Sequence, residues 1–147
     1  MSINLTRPKN FNSLFDVVSC FIEYEEKILL LHRQDEKPEG NKWCLPSGKI
    51  DKENGESAPA AILREVKEET DLEIKKIDLF YNGQLYVRYP THDFTFLTFT
   101  YFSKEKPAIK LNEKEHKEYK WISPKEALNL LLVRDFNECI KLYYRLK

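Results

Sequence analysis

The chain has 147 residues, which is the size of one ordinary domain. Hydrophobic residues make up 41% and charged residues 33%, so the composition excludes a disordered chain, and no apolar run reaches the roughly 18 residues of a membrane span. The 24 Lys and Arg residues balance 24 Asp and Glu residues, which argues against a nucleic-acid polymer as partner. We expect a single globular domain over residues 1–147, with neither a membrane nor a nucleic-acid polymer as partner.

The cysteines and the N-terminus indicate the compartment. Cys20, Cys44 and Cys139 are widely spaced and form no CxxC pair, which argues against a disulfide framework and a structural zinc site. Cys20 lies in an apolar run, so we expect a small buried residue there and not a nucleophile. The first ten residues lack the apolar stretch of a secretory signal, which predicts a cytoplasmic protein.

Hydrophobic patterns predict an alternation of strands and helices. The predicted elements are, in chain order, a hairpin over 16–33 with its turn at Glu25-Glu26, a polar loop over 34–41, an extended segment and turn over 43–50, a helix over Pro59–Thr70, strands over Ile77–Tyr89 and Phe94–Phe102, a charged loop over 103–118, a strand over Tyr119–Ile122, a helix opened by Ser123-Pro124 and a helix over Asp135–Arg145. This order predicts an α/β fold in which helices sandwich a mixed sheet.

The first predicted helix carries three glutamates on one face. Glu65, Glu68 and Glu69 stand at positions i, i+3 and i+4, where neighbouring Cβ atoms are about 5–6 Å apart. Like charges at this spacing repel, and the repulsion raises carboxyl pKa values unless a cation lies among them. Oxygen ligands without nearby His or Cys favour Mg²⁺, or Mn²⁺, over zinc. Because Mg²⁺ usually shares its coordination sphere with substrate phosphates, the pattern indicates phosphate chemistry.

Arg64 directly precedes these glutamates. Its side chain can pair with Glu68 at i+4 or reach back to Glu56 before the helix, so we expect it to orient carboxylates. The alternative is a glutamate-rich helix face that is simply solvated, since such faces are common on surface helices.

The spacing of these residues resembles the signature of a known family. The residues that carry the resemblance are Glu56, Arg64, Glu65, Val66, Glu68, Glu69 and Leu72, preceded by residues 43–49, WCLPSGK. The pattern resembles the Nudix box, which reads G-x5-E-x7-R-E-U-x-E-E-x-G-U with U aliphatic. This resemblance implies an α/β/α sandwich around a mixed central sheet. It also implies a pyrophosphohydrolase that cleaves nucleoside diphosphate-X compounds.

Three features depart from the family pattern. Seven residues separate Gly48 from Glu56, where the pattern has five, and we place the two-residue insertion within Asp51–Asn54. Ser47 stands where many members have the first of two glycines, and Asp71 replaces the final glycine. A helix often ends on a left-handed residue, a conformation that Asp tolerates better than most residues do. The departures leave every metal-ligand position in place but substrate choice open.

The resemblance assigns roles to individual residues. The implied metal ligands are Gly48, Glu65, Glu68, Glu69 and Glu115, and the implied catalytic residues are Arg64, Glu65, Glu68 and Glu115. Arg64 and Glu56 form a supporting pair in this scheme.

One member of that set comes from outside the box. The family often supplies a further acidic ligand or base from a loop near the last strand, where this chain offers Glu115 and Glu118. We favour Glu115, with a solvated loop as the alternative. The general base is then either Glu65 or Glu115. His116 is expected on the surface.

Residues outside the box are expected to contact the rest of the substrate. Arg33, at the end of a predicted strand, is a candidate phosphate contact, and an exposed strand-end arginine is the alternative. Trp43 and Tyr86, like Tyr89 and Phe94, are candidates for stacking on a base. Core packing is the alternative for each of these aromatic residues.

These features predict a hydrolase that uses Mg²⁺, or Mn²⁺, on a small-molecule nucleotide and acts as a monomer or homodimer. The substrate classes left open are nucleoside triphosphates, nucleotide sugars and dinucleoside polyphosphates. One alternative is a non-catalytic Nudix-like module that binds a nucleotide or a protein. Another is an isopentenyl-diphosphate isomerase-like enzyme, which would need a catalytic Cys and His-rich metal sites.

Overall fold

A computed structural model describes residues 2–147. Its strands are β1 Ile3–Asn4, β2 Ser13–Tyr24, β3 Lys27–Arg33, β4 Trp43–Cys44, β5 Ser47–Lys49, β6 Phe80–Arg88, β7 Asp93–Phe102 and β8 His116–Ile122, and its α-helices are α1 Ala58–Thr70, α2 Pro124–Ala127 and α3 Phe136–Tyr143. Short 3₁₀ turns occupy Lys52–Asn54 and Lys76–Asp78. In this part of the chain no helix is long and apolar enough to cross a membrane.

All eight strands belong to one sheet. The strand order is β1-β6-β7-β2-β3-β4, with β5 also paired to β2 and β8 to β3. β2 and β7 are parallel, whereas the other neighbouring strands are antiparallel. Side chains of α1 pack on one face of the sheet, and those of α2 and α3 pack on the other. The α/β fold with a mixed central sheet between helices is therefore confirmed.

β2 changes partner along its length. Glu23 and Tyr24 pair with the start of β3 across a turn in which Glu25 and Glu26 both have positive φ, a conformation typical of tight hairpins. Residues 17–19 pair with β5 instead. The predicted hairpin therefore exists only at its tip. Below the tip, β3 pairs with β8 and β4, whereas β2 pairs with β5, which lies beside α1.

α1 begins one residue before the predicted start and ends at the predicted residue. The Ser57 hydroxyl accepts a hydrogen bond from the Ala60 N–H at 3.2 Å, which satisfies one free donor at the helix start. Asp71 follows the helix with φ 63°. The residue that replaces the family's final glycine thus adopts the left-handed conformation.

The strand after α1 starts later than predicted, at Phe80 instead of Ile77. The Leu79 N–H donates to the Lys76 carbonyl at 3.2 Å, and this bond closes a 3₁₀ turn where the strand was expected. Ile77 is 87% exposed. The prediction included Ile77 in the strand because the residue is apolar, although it lies on the surface. The predicted strand therefore began too early.

β8 starts earlier than predicted, at His116 instead of Tyr119. It pairs with β3 through backbone hydrogen bonds although most of its side chains are exposed. Its charged residues are typical of a loop, and a loop was therefore predicted over the start of β8. Hydropathy indicates which side chains are buried but not which backbone segments pair. The prediction that His116 lies on the surface is wrong, since its exposure is 1%.

The three cysteines are free and buried. The burial of Cys20 agrees with the prediction from its apolar surroundings. Burial raises the pKa of the Cys44 and Cys139 thiols to about 12. Neither thiol is poised to ionise near neutral pH.

Candidate active site

Arg64 ties the loop before α1 to the helix. Its Nε and Nη2 donate to the two Glu56 carboxylate oxygens at 2.7 and 2.9 Å, and its Nη1 donates to Glu65 Oε1 at 2.7 Å. Nη2 also donates to the Lys49 carbonyl at 3.1 Å, and Nη1 lies 3.5 Å from Glu68 Oε2. Hydrogen bonds from Arg64 lower the pKa of Glu56 to about 2. Arg64 therefore meets both partners that the sequence offered it.

Glu65 lies against the backbone of β5. A Cβ atom built on Gly48 would stand 2.1 Å from the Glu65 carboxylate, so only glycine leaves room for that carboxylate here. Burial raises the pKa of Glu65, and the charges of Glu68 and Glu56 add to this effect while Arg64 opposes it. The sheet and the helix thus hold a mostly buried carboxylate against a glycine.

Glu69 is the most buried of the three glutamates, with 8% exposure. Its Oε2 accepts the Ser47 N–H at 3.0 Å, and its Oε1 lies 4.0 Å from His116 Nε2. Burial raises the pKa of Glu69 well above its ordinary value, and the charge of Glu65 raises it further. The described residues place no lysine or arginine in ion-pair contact with it. Glu69 is therefore a buried carboxyl group without a compensating side-chain cation.

Glu68 points towards solvent and is 54% exposed. As the side chains stand, no three His, Cys, Asp or Glu residues within 2–147 converge closely enough to hold an ion. The donors on this face nevertheless suit a hard divalent cation, because all are oxygens and because burial has raised the pKa of two of them. Solvent around Glu68 leaves room for a change of rotamer.

Of the two loop glutamates, Glu115 is the one whose charge reaches this face. It contributes to the raised pKa of Glu69, and its own carboxylate lies 3.2 Å from Lys37 Nζ. Glu118 instead lies 3.5 Å from a ring nitrogen of His32. The structure thus places Glu115 near the end of α1 that carries Glu69.

Two of the aromatic residues predicted to contact substrate pack against other rings, and of the two only Trp43 is buried. Trp43 is 7% exposed and stacks on His32, with ring centroids 4.3 Å apart and an interplanar angle of 3°. Tyr86 meets Phe11 edge-on at 5.3 Å. Neither residue lines the cavity described below.

Arg33, the predicted phosphate contact, lies at the end of β3. Its Nε donates to the Pro38 carbonyl at 2.8 Å. Its positive charge lowers the pKa of Glu69, against the larger effect of burial. Arg33 is therefore close enough to influence the glutamates although it forms no ion pair with them among the described residues.

A cavity opens on the α3 side of the sheet, and its volume is about 490 Å³ when the solvent-filled opening is included. Its polar and aromatic lining includes Ser19, Ser47, Tyr89, Phe94, Arg134 and Asp135. Oδ2 of Asp135 has no hydrogen-bond partner within residues 2–147, and the Arg134 guanidinium lies 3.9 Å from the centre of the Tyr89 ring. Because Ser47 also donates its N–H to Glu69, the cavity adjoins the glutamate face.

Sequence reasoning missed Asp135 and Arg134. An aspartate directly before a helix is typical of an N-cap, which gives it a structural role. In the fold Asp135 has φ 64° and makes no capping hydrogen bond with its side chain. Its place in the cavity wall depends on the packing of α3 on β6 and β7, which no local pattern reveals.

Comparisons with known proteins add independent evidence. The NUDIX domain model matches residues 14–143. The uncharacterised Nudix hydrolase YvcI of Bacillus subtilis (strain 168) is 38% identical over 58 residues, which are 40% of this chain and 33% of that protein. The match thus spans about a third of that relative's length.

Two solved structures share the fold. The MutT protein from Methanosarcina mazei Go1 is 26% identical, with a TM-score of 0.72 over 89% of this chain and 93% of that one. A bifunctional NMN adenylyltransferase/ADP ribose pyrophosphatase from Francisella tularensis, complexed with AMP and a Mn ion, is 21% identical, with a TM-score of 0.71 over 92% of this chain and 42% of that one.

Proposed function

This chain belongs to the Nudix family, whose domain model matches residues 14–143, and on that premise we propose that it is a pyrophosphohydrolase dependent on a divalent cation. It cleaves the diphosphate linkage of a nucleoside diphosphate-X compound at the glutamate face of α1. The observation that carries the proposal is Glu69, a buried carboxyl group next to Glu65 with no lysine or arginine in contact among the described residues. A bound cation would supply the missing charge.

The residues that would hold Mg²⁺ or Mn²⁺ are Glu65, Glu68 and Glu69, together with the backbone at Gly48 and with Glu115 from the loop before β8. The ion, when bound, neutralises diphosphate charge and polarises the phosphoryl oxygens. Oxygen-only donors fit either ion. The Mn ion and AMP in the Francisella tularensis structure make Mn²⁺ a suitable probe.

Arg64 positions the carboxylates around the reaction. Its bonds to Glu56 and to Glu65 fix the loop and the helix relative to each other. Glu65 and Glu115 are the two candidates for the base that takes a proton from the attacking water, and each carboxylate is contacted by a cation, Arg64 and Lys37 respectively. The raised pKa of Glu65 favours proton transfer nearer neutral pH.

The cavity beside Ser47 would take the nucleoside. Tyr89 and Phe94 line this cavity and offer ring faces for a base. Carboxylate oxygens accept hydrogen bonds, so Asp135 favours a base with N–H donors on its edge. The three predicted substrate classes, namely nucleoside triphosphates, nucleotide sugars and dinucleoside polyphosphates, all meet these requirements.

The test is a panel of these compounds, scored by phosphate release after a coupling phosphatase, with Mg²⁺, with Mn²⁺ and with EDTA. We expect release from at least one compound, dependent on the cation and lost in Glu69→Gln. A blank panel would contradict hydrolysis. If the same compounds still raised the melting temperature, that result would favour the non-catalytic binding module.

The isomerase alternative has little support. It needs an accessible cysteine and a group of histidine ligands, whereas Cys20 and Cys44 are both buried and their thiol pKa values are raised. His116 is the histidine that lies beside the glutamates. The oxygen donors of α1 and the cavity favour hydrolysis of a nucleotide.

A further inference from the structure

His116 occupies a buried position that the proposed reaction does not explain. Its ring is 1% exposed at the start of β8. Nε2 lies 3.6 Å from Cys44 Sγ and 4.0 Å from Glu69 Oε1, whereas Nδ1 has no hydrogen-bond partner in the described chain. An imidazole buried in this way costs free energy unless a polar contact compensates for it.

The surroundings of the ring indicate where its proton lies. A neutral imidazole carries one N–H, on either Nδ1 or Nε2, and its other nitrogen is an acceptor. The Cys44 thiol donates to the Leu31 carbonyl at 3.6 Å, which leaves its sulfur lone pairs facing Nε2. The two groups near Nε2, the Cys44 sulfur and the Glu69 carboxylate, are then both acceptors, whereas no acceptor faces Nδ1. The proton therefore belongs on Nε2.

This N–H lies on one side of the Glu69 carboxylate and the Ser47 N–H lies on another. Ser47 donates to Oε2 at 3.0 Å, and His116 faces Oε1. A separation of 4.0 Å is longer than a hydrogen bond, but polar contacts of a catalytic site are often long before ligands bind and tighten afterwards. Two donors, one for each oxygen, restrict the directions in which Glu69 can point.

We propose that His116 is a positioning residue whose Nε2–H orients Glu69 and stabilises its charge as a cation ligand. The proposal rests on the proposed function, because it gives Glu69 a cation to bind. Groups that hold a ligating carboxylate typically contribute about 10–100-fold to metal affinity or activity. His116 would then explain how a buried carboxyl group, with no lysine or arginine in contact among the described residues, is held ready for an ion.

The test measures Mn²⁺ affinity by electron paramagnetic resonance of the free ion, without substrate. His116→Leu fills the space without a donor, and His116→Gln keeps an N–H donor at a similar reach. Thr98→Val is the matched control, because it removes a buried hydroxyl near Tyr143, on the α3 side of the sheet. We expect about 10–100-fold weaker binding for the Leu variant, substantial recovery for the Gln variant and wild-type affinity for the control.

Each other outcome overturns a distinct claim. If His116→Leu binds Mn²⁺ as tightly as the wild type, or if His116→Gln is as weak as His116→Leu, the ring serves packing only and the positioning role is wrong. If the wild-type protein itself binds no Mn²⁺, the proposed function fails first and the positioning role fails with it. Melting temperatures of all variants separate loss of affinity from loss of fold.

A second measurement needs no metal and no substrate. Long-range ¹H–¹⁵N correlation spectra of the cation-free protein report which ring nitrogen carries the proton. We expect the Nε2–H tautomer for His116, with a shift of its resonances in Glu69→Gln. An Nδ1–H tautomer, or resonances that ignore the Glu69 substitution, would contradict the proposal even if Mn²⁺ binds.

Discussion

The two ends of the glutamate face differ in how their charge is compensated. At one end Arg64 binds both oxygens of Glu56 and one oxygen of Glu65, and it lowers the pKa of Glu56 to about 2. At the other end Glu69 is buried beside Ser47 and His116, and its pKa is raised well above the ordinary value. Glu56 at the first end is fully paired as it stands, whereas Glu69 at the second end has no lysine or arginine in contact among the described residues.

The two ends of the glutamate face therefore have different roles, since one stabilises the fold and the other favours binding of a cation. Glu56, whose two carboxylate oxygens are both bound by Arg64, stabilises the fold and has little to gain from an ion. A buried carboxyl group without such a partner destabilises the ionised form, so binding of a cation is favourable there. Substitutions at the two ends should therefore act in opposite ways.

Glu69→Gln should produce the largest effect. We expect turnover on the best compound of the panel to fall by about a hundredfold or more, since a ligand for the cation is lost. In EDTA the same variant should melt above the wild type, because a buried charge with a raised pKa is removed. Turnover within tenfold of wild type would contradict the role given to Glu69.

Gly48→Ala should damage the site while sparing the fold. The new methyl group would stand 2.1 Å from the Glu65 carboxylate, and the flexible end of that side chain would yield. We expect turnover to fall by about tenfold or more with a melting temperature near that of wild type. Gly40→Ala is the matched control, because its Cβ meets the backbone of Asp35 at 2.3 Å. That variant should melt lower while retaining cation binding.

The two ends should also respond to pH with opposite signs, as measured by melting in EDTA. The folded pKa of Glu56, about 2, lies below its ordinary value of 4.5, so its stabilisation is present above pH 4.5 and disappears as pH falls towards 2. The pKa of Glu69 is raised, so its cost appears as pH rises above 4.5. Glu56→Gln should be destabilising at pH 7 and neutral near pH 2, whereas Glu69→Gln should be stabilising at pH 7 and neutral below pH 4.5. Equal profiles for the two variants would contradict the comparison.

A double-mutant cycle on Arg64 and Glu56 measures the compensated end directly. Because the pair is only partly buried, we expect a coupling of about 1 kcal/mol in the free energy of unfolding. Arg64→Lys should lose most of this coupling, since an ammonium group cannot bind both oxygens in the same plane. Additive effects of the two substitutions would show that the clamp contributes nothing to stability.

The smallest effect should come from the residue that ends α1. Asp71 has φ 63°, a conformation that costs an ordinary residue roughly 1–2 kcal/mol. Asp71→Ala should therefore lower stability by about 1 kcal/mol, with turnover unchanged. Asp71→Gly relieves the backbone but loses the contact of the Asp71 carboxylate with Lys67 Nζ at 2.7 Å, so its stability should stay near that of wild type. Chemical denaturation of both variants checks this order.

The sequence was sufficient for features that depend on local spacing. Helical periodicity places Glu65 and Glu69 on one face wherever the helix packs, and a left-handed Asp71 follows from the end of the same helix. The burial of His116 was not predictable in this way. It depends on the pairing of β8 with β3. A hydropathy pattern does not predict this pairing, because the side chains of β8 are mostly charged.

The cavity escaped prediction for a related reason. Asp135 and Tyr89 come from distant parts of the chain and meet only when α3 packs on the sheet. Of the four aromatic residues that the sequence offered for stacking, Tyr89 and Phe94 line the cavity, whereas Trp43 and Tyr86 pack against other rings. A stacking residue and a core residue look alike until the tertiary structure shows which ring faces a void.

A Mn²⁺ titration of the wild-type protein, Glu69→Gln and Glu138→Gln, followed by electron paramagnetic resonance, tests directly whether Glu69 holds the cation. Glu138 lies on α3, so its substitution is a matched control for loss of one carboxylate. We expect saturable binding by the wild type and by Glu138→Gln, and binding at least about tenfold weaker by Glu69→Gln. Equal affinity in all three proteins would contradict the claim that the uncompensated end of the glutamate face holds the cation.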